Sequence, residues 1–112
     1  MGSWQLVERK IFHITKTFPE DEKYGLISQI RKSSRSVCSN LAEGYRKRKY
    51  PAHFISKLTD ADMENSETIV WIDFSLQCGY IKQNIADELY QQTEEVGKIL
   101  YFMIKNPTKF IR

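Results

Sequence analysis

Four runs of apolar residues repeat with helical period along this chain, and each is closed by residues that break helices. Phe18-Pro19 and then Gly25 mark a first turn, Gly44 and Pro51 bracket a second, Gly79 marks a third, and Pro107 ends the last pattern. Between these breakers the spacing predicts helices over about 4–17, 24–45, 52–78 and 84–105. Asn84 is the expected N-cap of the last helix, with Asp87 and Glu88 in its first turn. There is no alternating strand pattern, internal repeat or low-complexity stretch.

At 100° per residue each segment gathers one apolar face. The first carries Trp4, Val7, Ile11, Ile14 and Phe18, and the second Leu26, Ile27, Ile30, Ser34, Val37 and Leu41. The third carries Phe54, Leu58, Ala61, Asn65, Ile69, Ile72 and Leu76, and the fourth Ile85, Leu89, Val96, Ile99, Leu100 and Met103. Short connections between amphipathic helices favour antiparallel packing. The expected fold is therefore all-α, an antiparallel up-down-up-down four-helix bundle, with residues 1–112 forming a single domain. With 41% hydrophobic and 28% charged residues, the chain is too apolar for disorder and too polar for lipid. Glu8, Arg9 and Lys10 interrupt the one candidate secretory stretch, and Cys38 and Cys78 fit no metal or redox spacing. Both thiols are expected to be free, in a reducing cytoplasm.

The third segment has a second apolar stripe. Met63, Val70, Trp71, Phe74 and Cys78 fall opposite the first. Either the fourth helix or the Phe110-Ile111 tail folds over it, or it meets another subunit. Trp and Phe are common anchors of protein contacts, which favours the subunit interface. Tyr90, Gly97 and Tyr101 lie off the core stripe of the fourth segment and can serve the same contact.

Charge is segregated although the net charge is only +3. Residues 31–57 hold eight Lys or Arg (Arg31, Lys32, Arg35, Arg46, Lys47, Arg48, Lys49, Lys57) against one acid, Glu43. Residues 58–81 hold five acids and no base. If the second helix runs on, Arg31, Arg35 and Arg46 share one stripe opposite its core face. Tyr45 and Tyr50 flank the Arg46–Lys49 run, where they can stack on bases. The competing reading is a solvated face beside a charged loop.

Catalytic chemistry finds little footing. A di-metal carboxylate bundle needs Glu-x-x-His pairs on facing helices, and His13 and His53 fit no such pattern. Ser33, Ser34, Ser36 and Ser39 lack a His–acid partnership and more plausibly let helices approach closely, and there is no glycine-rich phosphate loop. No enzyme activity, metal or cofactor is expected. Asn40, Glu43, Glu64, Asn65 and Glu67 sit within or beside the core stripes. They form either a ligand site or, preferably, a hydrogen-bonded network that fixes helix register.

The run Ser28-Gln29-Ile30-Arg31-Lys32-Ser33-Ser34-Arg35-Ser36-Val37-Cys38-Ser39-Asn40-Leu41-Ala42-Glu43-Gly44 resembles the signature of the intervening-sequence proteins encoded in insertions of bacterial 23S ribosomal RNA genes. Asp60 to Thr68, Trp71-Ile72-Asp73-Phe74, Cys78-Gly79-Tyr80-Ile81 and Tyr24-Gly25-Leu26 after Phe18-Pro19 are similar to that family too, so the likeness covers about residues 10–104. The chain departs from the family in having few residues before the first helix, and in Cys38 where many members have proline, which predicts a straighter second helix. The resemblance implies an antiparallel four-helix bundle with a basic surface that assembles into rings, commonly pentamers. It also implies kinship with the accessory variability determinant of diversity-generating retroelements, which binds nucleic acid and a reverse transcriptase.

Two functions follow as expectations. One is a ring-forming homo-oligomer that binds RNA or DNA backbone through Arg31, Lys32, Arg35 and Arg46–Lys49, as an accessory to a ribonucleoprotein or reverse transcriptase. The other is a protein-assembly module whose basic loop meets an acidic protein. Met63, Val70, Trp71 and Phe74 are the expected subunit contacts in the first.

Overall fold

The computed structural model describes residues 2–110. Four α-helices follow one another: α1 (Ser3–Thr15), α2 (Leu26–Arg46), α3 (Pro51–Gln77) and α4 (Gln83–Lys105). Short 3-10 turns lie at Glu20–Glu22 and Pro107–Lys109, and no strand occurs among the described residues. The Ile111 part of the tail lies outside the described residues.

The boundaries have local causes. Gly2 N–H donates to Gln5 Oε1 at 2.8 Å and opens α1. Pro51 stands at the first position of α3, where its fixed φ suits the helix and its missing N–H would have had no partner. Gly79 has φ +75°, the left-handed conformation that glycine adopts without strain. Its N–H bonds Leu76 O at 3.0 Å and the Tyr80 N–H bonds Ser75 O at 2.9 Å, a double closure that ends α3. Asn84 is not the N-cap of α4. The helix starts one residue earlier, at Gln83, because the extended Lys82 already accepts from the N–H groups of Ile85 and Ala86. Asp87 and Glu88 consequently lie beyond its first turn.

Cross-helix contacts fix the arrangement. Near one end of the α1–α2 pair Arg31 Nε donates to Thr15 Oγ1 at 2.8 Å, and near the other Cys38 Sγ lies 3.7 Å from Trp4 O. Glu43 pairs with Lys57, and Thr68 Oγ1 donates to Ser33 Oγ at 2.8 Å, between α2 and α3. Asn65 Nδ2 donates to Thr93 O at 2.9 Å and Tyr90 donates to the Asp73 carboxylate, between α3 and α4. In every pair the numbers rise on one helix as they fall on the other, so sequential neighbours run antiparallel. α1 also packs on α4, with Lys10 against Glu88, and closes the circle.

Ile11, Ile30, Leu41, Phe54, Leu58, Ile72, Leu89, Val96 and Leu100 are fully buried along the axis. Ile99 departs from its expected core place and is 38% exposed. Consecutive helical residues point 100° apart, so with Leu100 at the centre of the stripe Ile99 turns toward the surface. Gly44 is buried where α2 meets α3, and a Cβ there would lie 3.4 Å from Lys57 Cβ.

The five-residue polar network does not form. Glu43 and Glu67 are exposed, Glu64 is half-buried, and Asn40 Nδ2 turns back on its own helix to Ser36 O at 2.9 Å. Only Asn65 among the five is buried. Carboxylates keep to water because burial would cost more than their pairing returns. The buried interhelical polar contacts use neutral groups instead: Ser33 with Thr68, and Asn65 with Thr93. No helix among the described residues is long and apolar enough to cross a membrane.

Candidate nucleic-acid interface

The basic residues divide into three settings. Arg31 is half-buried and belongs to the packing of α1 on α2. Besides Thr15, its guanidinium donates to Phe12 O at 3.3 Å and lies 4.7 Å from the centre of the Phe12 ring. Two of its N–H donors are thus engaged inside the fold, which sets it apart from the freer Lys32 and Arg35, although it lines the same open surface hollow as they do. Arg35 is more open, 3.7 Å from a Glu8 carboxylate oxygen, and Lys32 is exposed. Lys57 is engaged: its hydrogen bond to Glu43 at 2.8 Å holds the Glu43 carboxyl below its ordinary pKa and its own ammonium above.

The third setting is the corner between α2 and α3. α2 continues to Arg46, and Lys47 to Tyr50 form the turn. Lys47 N–H bonds Gly44 O at 2.9 Å, Arg48 N–H bonds Tyr45 O at 3.3 Å and Tyr50 N–H bonds Lys47 O at 2.8 Å, so the turn is ordered residue by residue. None of Arg46, Lys47, Arg48 and Lys49 forms an ion pair among the described residues. Arg48 donates to Tyr45 O at 3.1 Å and lies 5.7 Å from the Tyr45 ring centre. Tyr50 is 60% exposed, with the exposed His53 packed edge-on against it. No side chain caps α3, so the Ala52 and His53 N–H groups lack an intrahelical acceptor and add donors to the same corner. Lys32 and Arg46 stand about 21 Å apart along α2, so the corner and the Lys32–Arg35 pair are separate footings on one helix.

One residue with no place in the four stripes proves prominent. Tyr24 is 87% exposed and borders an open hollow of about 620 Å³ with Lys23, Ser28, Lys32 and Arg35. An aromatic residue between Lys23 and Gly25, off any apolar face, is the signal in the sequence.

On the outer side of α3, Met63, Val70 and Phe74 are 67%, 46% and 48% exposed. Trp71 is half-buried beside Phe74, and its indole N–H has no acceptor among the described residues. Phe110 does not cover this stripe, since it packs on Phe54 and Phe102, by the opposite end of α3. Tyr90, by contrast, faces Asp73 within the same chain.

Reactive groups are not brought together. His13 and His53 are exposed on different helices, and no group of three or more His, Cys, Asp or Glu among the described residues is placed to hold a metal. Burial pushes the Cys38 thiol up to about 11, so it is a packed, protonated group at neutral pH. Cys78 is free and exposed.

Known proteins place this architecture. A solved structure of a protein with unknown function from the S23 ribosomal protein family of Bacteroides thetaiotaomicron is similar, with a TM-score of 0.80 over 92% of this chain and 95% of that one, at 24% sequence identity. That likeness concerns the fold. No curated protein matches the chain. The family model described as 23S rRNA-intervening sequence protein matches residues 3–102. With nearly the whole bundle inside that match, the chain belongs to the 23S rRNA-intervening sequence protein family.

Proposed function

We propose that this protein is a non-catalytic, ring-forming homo-oligomer that binds the phosphate backbone of RNA or DNA, serving as an accessory to a ribonucleoprotein or reverse transcriptase. The observation that carries this reading is the α2–α3 corner, where Arg46, Lys47, Arg48 and Lys49 form no ion pair among the described residues and stand beside two tyrosines. Cations so placed displace condensed counterions from a polyanion. Each phosphate neutralised contributes roughly −0.9 to the salt slope for duplex DNA and roughly −0.7 for a single strand. One subunit offers a modest charge, and a ring repeats it, so that linked weak sites gain avidity. Met63, Val70, Trp71 and Phe74 supply the subunit contact in this reading, and a ring of five is the form that the family resemblance favours. Nothing at the corner resembles a base-reading helix, so sequence preference is weak.

The exposed α3 stripe also supports a second reading, a protein-assembly module without nucleic-acid contact. Electrophoretic mobility shift at about 50 and 200 mM salt separates the two. The proposal expects binding that falls steeply with salt and is lost when Arg46, Lys47, Arg48 and Lys49 are changed to Glu. Binding that ignores salt, or survives the charge reversal, leaves the assembly module as the better account.

A further inference from the structure

The outer face of α2 is continuous from the hollow at its start to the corner at its end. Ser28, Lys32, Arg35, Ser39, Ala42 and Arg46 follow in steps of four and three, which places them on one line along the helix, and all are exposed. Three cations, Lys32, Arg35 and Arg46, share this line with three small residues, and Ser39 and Ala42 lie between Arg35 and Arg46. Two acids lie beside it, and each faces a base: Glu8 lies by Arg35 and Glu43 is bonded to Lys57. The line runs about 27 Å from Ser28 to Arg46. Aromatic rings stand at both ends, Tyr24 at one and Tyr45 with Tyr50 at the other, each beside a cation: Lys23 Nζ is 5.6 Å from the Tyr24 ring and Arg48 is 5.7 Å from that of Tyr45.

We propose that this face is a track for single-stranded nucleic acid, with Tyr24 as a stacking platform for an unpaired base at one end and Tyr45 and Tyr50 receiving bases at the other. The inference rests on the nucleic-acid reading above and adds to it the state of the ligand and the role of Tyr24. An exposed ring gains from a base only when the base offers a free face, which a duplex hides within its stack. Lys32 and Arg35 line the hollow beside Tyr24, where they hold the phosphates that flank a stacked base. The small side chains between the cations let the sugar–phosphate chain lie against the helix. The length of the line falls within the span of about 4–16 nucleotides over which single-strand binders follow one backbone.

The test is fluorescence anisotropy with labelled thymidine oligonucleotides of roughly 8 nucleotides, a length inside that span, and with a G·C-rich duplex long enough to stay paired at the assay temperature. Wild type, Tyr24→Ala, Tyr24→Phe and the Glu reversal of Arg46–Lys49 are compared. The proposal expects the single strand to bind more tightly than the duplex. Tyr24→Ala should weaken the single strand roughly ten-fold and leave the duplex unchanged, with Tyr24→Phe behaving as wild type. The ring is 87% exposed, so its removal leaves the fold intact, which circular dichroism checks. Equal binding of both ligands, or a Tyr24→Ala protein that binds as wild type does, overturns the track while leaving backbone binding at the corner in place. A wild-type protein that binds neither ligand overturns both.

Discussion

Arg31 reaches from α2 across to α1, donates through Nε to Thr15 Oγ1 at 2.8 Å, and lies over the ring of Phe12. Thr15 in turn donates to Ile11 O at 2.7 Å, so the charge is joined through a buried hydroxyl to the backbone of α1. Arg31→Ala is therefore expected to lower stability by about 1.5–3 kcal/mol, the range for hydrogen bonds to a charged donor. Urea unfolding measures it, and the salt slope for nucleic acid should not move. Arg31→Lys should recover little, because an ammonium has no planar fork to divide between Thr15 and Phe12. A variant as stable as wild type with a shallower salt slope would put Arg31 on the binding surface instead.

Gly44 is a buried position where α2 packs against Phe54 and Lys57 of α3. A methyl group there meets Lys57 Cβ at 3.4 Å, ordinary contact that the neighbour can accommodate. Alanine also relieves the conformational cost of a helical glycine, about 1 kcal/mol. Gly44→Ala should be neutral or stabilising by up to about that amount, whereas Gly44→Leu must push the helices apart and should destabilise by about 2 kcal/mol or more. Thermal unfolding of both variants decides it, and a Leu variant as stable as wild type would contradict the close approach.

Two tyrosines should ionise late. The Tyr80 hydroxyl donates to Glu22 Oε2 at 2.8 Å, which pushes its pKa up to about 12. Partial burial and the Asp73 carboxylate push Tyr90 to about 12 as well. Both values are raised in the folded state from an ordinary 10.0, so the stabilisation is fully present below pH 10 and fades as pH rises through about 12. An ultraviolet titration of phenolate should show a late-ionising fraction that shrinks in Tyr80→Phe and Tyr90→Phe. A single transition near the ordinary value would refute both contacts.

The α3 stripe predicts the behaviour of assembly variants. Phe74→Glu and Val70→Glu place a charge on side chains that are already about half exposed, so helix content and the stability of one chain should stay near wild type. Burying that charge between subunits should cost several kcal/mol and shift the mass in light scattering toward the monomer. A wild-type monomer at micromolar concentration would exclude the subunit contact.

The helices were legible because breakers and periodicity are local properties. Phe18-Pro19, Pro51 and Gly79 each act within a few residues, and the structure places turns beside them, whereas Gly44 lies inside α2, which runs on to Arg46. Sites between helices were less so. The 100° rule sets the direction of Arg31 but does not show that Phe12 and Thr15 stand in its way. It cannot choose between Ile99 and Leu100 for the centre of a stripe. It puts Glu67 and Glu43 near the core, and desolvation turns both outward. Tyr24 escaped because its prominence comes from what does not pack on it, which no periodicity records.

The turn from Lys47 to Tyr50 carries three of the corner's four cations on a backbone already hydrogen-bonded between two helices. The same charges on a loose tail would have to surrender conformational freedom on meeting an anion. Here the backbone share of that entropy was lost when the chain folded, so only the side chains have freedom left to surrender. Lengthening the turn with glycine would preserve every charge and still weaken binding.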